Sequence, residues 1–173
     1  MATIRAKSKV KAKHQSLIQE PRVEIAFHLQ DWEDAYNVGG MFRVAEACGA
    51  VELFMSGKTP VPPHPQIGVT SLGHHRRMPW QYFEKHVDAI ASIKAAGYTP
   101  IAVEIADEAE HYMEFDYPAS TCLVLGHEGA GVYDYVLKLC GGAVFIPMAG
   151  KGRSLNVHVA AAVVAFEAIL GAR

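Results

Sequence analysis

Three short segments of this chain place polar side chains among glycines, where a ligand and a backbone can approach each other. The first is Asn37-Val38-Gly39-Gly40-Met41-Phe42-Arg43. Asn37 and Arg43 lie within two turns at the opening of a helical pattern, so both can face one groove. The second is Leu125-Gly126-His127-Glu128-Gly129-Ala130-Gly131, in which Glu128 is an isolated carboxylate among glycines that let the backbone reach a ligand. The third spans residues 146–167: an apolar strand end, a Pro-Met-Ala-Gly-Lys-Gly loop, and a helix whose first turn carries Ser154, Asn156 and His158. Beyond that turn the helix is almost wholly apolar through Ile169 and Leu170, and Gly171 stands where a C-cap falls. Polar groups at the mouth of a buried helix, behind an open loop, describe a ligand site. Taken alone, the segment is equally an ordinary core helix with Ser154 as its N-cap.

The elements that must hold these segments alternate. Residues 23–28 read as a short apolar strand, followed by an acidic loop. Residues 37–48 have helical periodicity closed by Gly49, and residues 51–55 form the next strand. A proline-rich loop covers residues 56–65, then a short helix over 66–73 and a short edge strand or turn over 80–83. Residues 86–96 form an amphipathic helix ended by Gly97, with a strand over 99–104. The strongest buried strand is 121–125; a short helix over 131–139 and a last strand over 143–146 follow. This βαβα rhythm with near-continuous apolar strands predicts a mostly parallel sheet with helices on both faces. In such sheets ligands bind beyond the strand C-termini, which is where the three segments fall.

A chain of 173 residues, half of them hydrophobic, can bury one good core, and one domain is expected. No apolar run approaches the length of a membrane span and no secretory signal is visible. Cys48, Cys122 and Cys140 are odd in number, widely spaced and flanked by apolar residues, the pattern of reduced core or near-core thiols in a cytoplasmic protein. Nine histidines include only one adjacent pair, His74-His75, and no Cys-x-x-Cys or His-x-x-x-His frame, so no metal site is expected. No G-x-G-x-x-G follows the first strand, and Walker, G-x-S-x-G and H-E-x-x-H motifs are absent.

The net charge of −2 is unevenly spread. Within residues 1–22, six cations (Arg5, Lys7, Lys9, Lys11, Lys13, Arg22) face the single acid Glu20, giving +5 and leaving −7 for residues 23–173. That opening stretch has no apolar stripe and reads as a flexible basic arm. A cationic arm on an acidic body suits a polyanion such as nucleic acid, and equally a solubilising tail.

Taken in order and spacing, the three segments resemble the SpoU (TrmH-like) branch of the SPOUT superfamily of RNA 2′-O-ribose methyltransferases. Asn37, Gly39 and Arg43 match its first motif, N-x-G-x-x-x-R. Leu125, Gly126, Glu128 and Gly131 look like the second, L-G-x-E-x-x-G. Ile146-Pro147-Met148, Ser154-Leu155-Asn156-Val157 and Val159-Ala160-Ala161 look like the third. The resemblance runs from about Val23 to Leu170 and is of the minimal, single-domain type.

That resemblance implies a SPOUT domain over residues 23–173 with a deep C-terminal trefoil knot, an exception to the rule that chains do not thread loops. It also implies a homodimer, S-adenosyl-L-methionine as cofactor, and an RNA substrate, transfer RNA ahead of ribosomal RNA. By position, Gly126, Ile146, Met148, Ser154 and Leu155 would meet the cofactor, largely through backbone, with Glu104 lining the same pocket. Arg43, Asn37, Glu128, Ser154 and Asn156 would form the catalytic set. Arg43 would steady a developing alkoxide or grip a phosphate, since a guanidinium is hardly ever deprotonated. Asn37 and Asn156 would orient the ribose and Arg43, and Glu128 would hold Arg43 or loop amides. His158 stands where the family commonly has Ser. It is a groove or interface histidine without chemistry, an RNA contact, or a proton acceptor. His127 falls at a position that varies in the family, and Lys151 and Arg153 are either RNA phosphate contacts or solvated charges. Two alternatives stand beside this reading: a non-catalytic RNA-binding homologue, and a nucleotide-dependent doubly wound enzyme.

Overall fold

The first strand, β1 (Glu24–Gln30), is buried on both faces from Ile25 onward, and the rest of the protein assembles around it. Ile25, Phe27 and Leu29 enter one apolar cluster and Ala26 the other, as the two-residue period of a strand requires. In the computed structural model, which describes residues 12–13, 20–152 and 154–171, β1 belongs to a sheet of seven strands. The others are β2 (Leu53–Ser56), β3 (Trp80–Phe83), β4 (Thr99–Val103), β5 (Glu110–His111), β6 (Ser120–Leu125) and β7 (Gly142–Phe145). Their order across the sheet is β3-β2-β1-β6-β4-β7-β5, with every neighbouring pair parallel. Phe27 is in register with Leu53 on one side and Leu123 on the other, which stacks large apolar side chains in rows across the sheet.

Helices cover both faces. α1 (Ala35–Cys48) and α5 (Val157–Leu170) bury Val38, Met41, Phe42, Val164 and Ala165 in one cluster. α3 (His86–Ala95) and the short α4 (Asp134–Leu137) bury Ile90, Ile93 and Val136 in the other. α2 (Pro65–Ser71) and a 3-10 turn (His74–Arg76) pack beside α1. This is the α/β architecture the alternation predicts. Among the described residues no helix is long and apolar enough to cross a membrane. The three cysteines are free, two of them buried, and burial pushes the Cys48 thiol up to about 11 and that of Cys140 to about 12.

Several boundaries differ from expectation. α5 begins at Val157, with Asn156 as its N-cap; the Asn156 Oδ1 accepts the His158 N–H at 3.2 Å. Ser154 is therefore neither the cap nor in the first turn. Gly171 does follow the helix, but at φ −53° it is not the left-handed cap expected, and its N–H continues the helical pattern to the Glu167 carbonyl. The helix expected over 131–139 shrinks to four residues. Gly131 sits at φ +69°, and its N–H and carbonyl pair with His127, so the chain before Tyr133 is held as a loop. The edge strand β5 carries two residues, too few for any alternation to announce. Most of the basic arm, residues 1–22, lies outside the described residues.

Gly39 shows why one motif glycine is needed for packing. A Cβ there would run into the Thr70 side chain and sit 2.9 Å from the Ile67 carbonyl oxygen, where α2 crosses α1. Gly39→Ala is expected to destabilise the protein by about 1–3 kcal/mol through overpacking. A thermal midpoint unchanged from that of the parent protein would show that the helices separate freely there.

Candidate active site

Three adjacent strands, β6, β4 and β7, end side by side, and the segments that leave them line one open cavity of about 250 Å3. Glu104 follows β4, Gly126 and Glu128 follow β6, and Ile146 and Met148 follow β7. Ser154 and Leu155, on the approach to α5, close the remaining wall. All six residues singled out for a cofactor thus line a single cavity, although they lie up to 51 positions apart (104 to 155).

Backbone geometry is forced at two points of this cavity. A Cβ on Gly126 would collide with the Gly131–Val132 peptide, and one on Gly131 with the Glu104 carboxylate. Glu104 clamps the loop: its Oε2 accepts the Val132 N–H at 2.8 Å and its Oε1 the Ile105 N–H at 2.9 Å. His127 folds the loop tip, its Nδ1 accepting the N–H of Gly129 at 2.9 Å and of Ala130 at 3.1 Å. From behind, Gln30 donates to the Gly131 carbonyl and accepts the Tyr133 N–H, while the Trp32 indole donates to the Leu125 carbonyl.

Polar side chains join the first and third segments to the second at the rim. Glu128 accepts the backbone N–H of Glu33 at 3.1 Å and of Asp34 at 3.4 Å, and the Asn37 Nδ2 at 3.2 Å. The Asn37 Oδ1 accepts the Asn156 Nδ2 at 3.0 Å. Glu128 therefore holds loop amides rather than Arg43, and the two asparagines hold each other rather than Arg43. Arg43 is six residues along α1 from Asn37, a rise of about 9 Å. It lines a second groove of about 410 Å3 with Gly40, Glu46, His74, His158 and Phe166. Within one chain, Arg43 and the cofactor cavity are thus not brought together. Lys151 is exposed, and Arg153 lies outside the described residues.

His158 belongs to the second groove. Burial lowers its pKa, Asp34 opposes that shift, and the Arg43 guanidinium adds to it. Its Nδ1 is enclosed and has no hydrogen-bond partner among the described residues.

A second polar network, which the sequence reading missed, supports the loop after β6. Ser56 Oγ sits 2.7 Å from His28 Nε2 and 2.7 Å from His86 Nδ1, and the His86 Nε2 lies 3.3 Å from Asp31. The Tyr133 hydroxyl donates to Asp31 at 2.8 Å, tying the network to the residue that ends the cavity loop. Complete burial, and then His86, push His28 down to about 3, so it stays neutral. Burial raises the Asp31 carboxyl, but the Lys58 N–H, Tyr133 and His86 together hold it below its ordinary value. The available signal was His28 and Gln30, polar residues at alternate positions of an otherwise apolar stretch of β1, with Asp31 directly after it.

Apolar walls at Val103, Phe145, Ile146, Met148 and Leu155 suit a flat heterocycle. Glycine backbone and the carboxylates Glu104 and Glu128 suit hydroxyls or a cationic group.

Residues 24–166 match the sequence profile of the SpoU rRNA Methylase family. A tRNA (guanosine(18)-2′-O)-methyltransferase of Thermus thermophilus is 32% identical over 157 residues, covering 89% of this chain and 78% of the relative. A 23S rRNA (guanosine-2′-O-)-methyltransferase of Ralstonia nicotianae is 31% identical over 137 residues, 79% of this chain and 54% of that one. The solved structure of an AdoMet-bound rRNA methyltransferase from Sinorhizobium meliloti superposes with a TM-score of 0.79 at 28% identity, over 87% of this chain and 57% of that chain. This chain thus spans little more than half the length of the last two. It belongs to the SpoU rRNA Methylase family.

Proposed function

We propose that this protein is an S-adenosylmethionine-dependent RNA methyltransferase that methylates a ribose 2′-hydroxyl, with transfer RNA as its substrate. The observation that carries the reading is the single cavity beyond β6, β4 and β7, roped to the start of α1 through Glu128, Asn37 and Asn156. The names of the relatives support the same chemistry, and a structure of the fold holding this cofactor supports its choice.

The cofactor supplies a methyl group made electrophilic by its sulfonium. The protein's part is to place an oxygen in line with that methyl and to manage its proton. Gly126, Ile146, Met148, Ser154, Leu155 and Glu104 hold the cofactor, the first five largely through backbone and apolar contact. Asn37 and Asn156 present fixed amides at the cavity rim to the ribose: Glu128 holds Asn37, and Asn37 holds Asn156. The C-terminal segment around α5 is read as the trefoil knot of the SPOUT fold, closing the cofactor cradle.

Arg43 needs a second copy to meet the cavity. On α5, Val159, Phe166 and Leu170 are 41–46% exposed and share one face of a 14-residue helix that buries only five of its residues. Phe166 borders the Arg43 groove. Two copies packed through this face bury it and set the Arg43 groove of one against the cofactor cavity of the other, an isologous arrangement with two equal sites. The reading places the enzyme in the cytoplasm, with its RNA. Labelled methyl transfer into each purified RNA class tests it: label is expected in transfer RNA. Label confined to ribosomal RNA would overturn the substrate, and label in neither would overturn the activity.

A further inference from the structure

We propose that His158 accepts the proton of the ribose 2′-hydroxyl during methyl transfer, with Arg43 beside it steadying the charge on the oxygen. The inference rests on the RNA methylation reading above and on its two-copy arrangement, which sets the groove of Arg43 and His158 against a cofactor cavity.

Placement is the first ground. The His158 ring lies against Gly40, where a Cβ would stand 3.1–3.2 Å from three ring atoms, tighter than ordinary packing. Gly40 is thus what lets the ring settle onto α1. Arg43 is three residues further on, on the same face of the helix, and both side chains line the second groove. The two side chains therefore travel together to whatever site Arg43 serves.

Satisfaction is the second ground. The Asn156 cap fixes the backbone of His158, but the ring Nδ1 is enclosed and has no partner among the described residues. An unpaired buried nitrogen costs stability, and with Nδ1 enclosed, Nε2 is the ring nitrogen left to meet an outside group. The charged and titratable groups around the ring are Arg43 and Glu46 from α1, Asp34 from the loop before it, and His74 from the 3-10 turn. Burial and Arg43 outweigh Asp34, so the ring is neutral at physiological pH and has a lone pair to offer.

A weak base is sufficient for this step. As the oxygen–carbon bond forms, the hydroxyl approaches a protonated ether, which is far more acidic than an alcohol. An oxygen lone pair makes the new bond to the methyl carbon, and the carbon–sulfur pair returns to sulfur. The O–H pair stays on oxygen, and the proton passes to Nε2, the ring nitrogen opposite the enclosed Nδ1. Positive charge thereby moves from sulfur to the imidazolium, where the Asp34 carboxylate faces it.

Single-turnover methyl transfer by the full chain, measured across pH, tests the assignment. The parent protein is expected to lose rate as pH falls through the lowered histidine range. His158→Ala should be slower by about 10²-fold or more, lack that acid limb, and regain part of its rate with added imidazole. RNA affinity, cofactor affinity and thermal midpoint should stay close to those of the parent. His158→Asn, nearer in shape, is the second variant should the alanine variant fold poorly. A parent-like rate in either variant, a retained acid limb, or a loss confined to RNA affinity would overturn the proposal. Absence of transfer by the parent itself would sink the underlying reading, and this step with it.

Discussion

Arg43→Ala is expected to slow methyl transfer by about 10²–10³-fold, the loss typical of removing a donor aimed at developing charge, while cofactor affinity stays within about twofold. The split follows from geometry. Arg43 lies about 9 Å along α1 from the rim, in a groove separate from the cofactor cavity. Removing it leaves every cavity wall intact. The guanidinium is a permanent cation whose fork suits an alkoxide or phosphate oxygen, so its place is in the transition state and not in the cofactor complex. Loss of cofactor affinity in step with rate would place Arg43 in the cradle instead. The same variant tests the dimer: mixed with one whose cavity is disabled, it should regain up to about a quarter of parent activity. Random pairing makes half the dimers mixed, each with one complete site of two. No recovery on mixing would mean that each chain uses its own Arg43.

Gly126→Ala is expected to supply that disabled cavity, weakening cofactor binding by about 30-fold or more, equivalent to some 2 kcal/mol. The added methyl collides with the Gly131–Val132 peptide, which cannot retreat freely because Glu104 holds the Val132 N–H and Gln30 holds Gly131. The wall must move as a unit. Titration calorimetry with cofactor reads the effect, and Gly68→Ala, which has nothing within 4 Å of the new atom, is the control. Equal affinity in the two variants would show that the loop yields and that the glycine is not what shapes the cradle.

Much of this arrangement is legible in the residues alone, because its parts are local. Glycine beside an isolated carboxylate after a strong strand, and an asparagine at a helix mouth, mark the cavity before any contact is known. The near-continuous apolar run in residues 23–28, set in a strand–helix rhythm, foretells a sheet buried on both faces. What the residues could not give is which side chains pair across the sheet order. The ties of Glu128 to Asn37, and of Asn37 to Asn156, span 91 and 119 positions; the first exists because β6 pairs with β1, the second because α5 packs on α1. Helix ends are ambiguous in the residues for a related reason. Ser154 and Asn156 are both good caps by type, and only the position of the Asn156 oxygen on the His158 N–H decides between them. Arg43 looked adjacent to Asn37 in spacing, yet its rise along α1 carries it into another groove.

The most direct test is to locate the methyl group itself. Transfer RNA incubated with the protein and labelled S-adenosylmethionine, then digested with a nuclease that needs a free 2′-hydroxyl, should release its label in resistant dinucleotides. That outcome fixes both the acceptor atom and the reaction class. Label released instead in single nucleotides would mean methylation of a base, and would contradict the ribose chemistry assigned to Asn37, Arg43, Asn156 and His158.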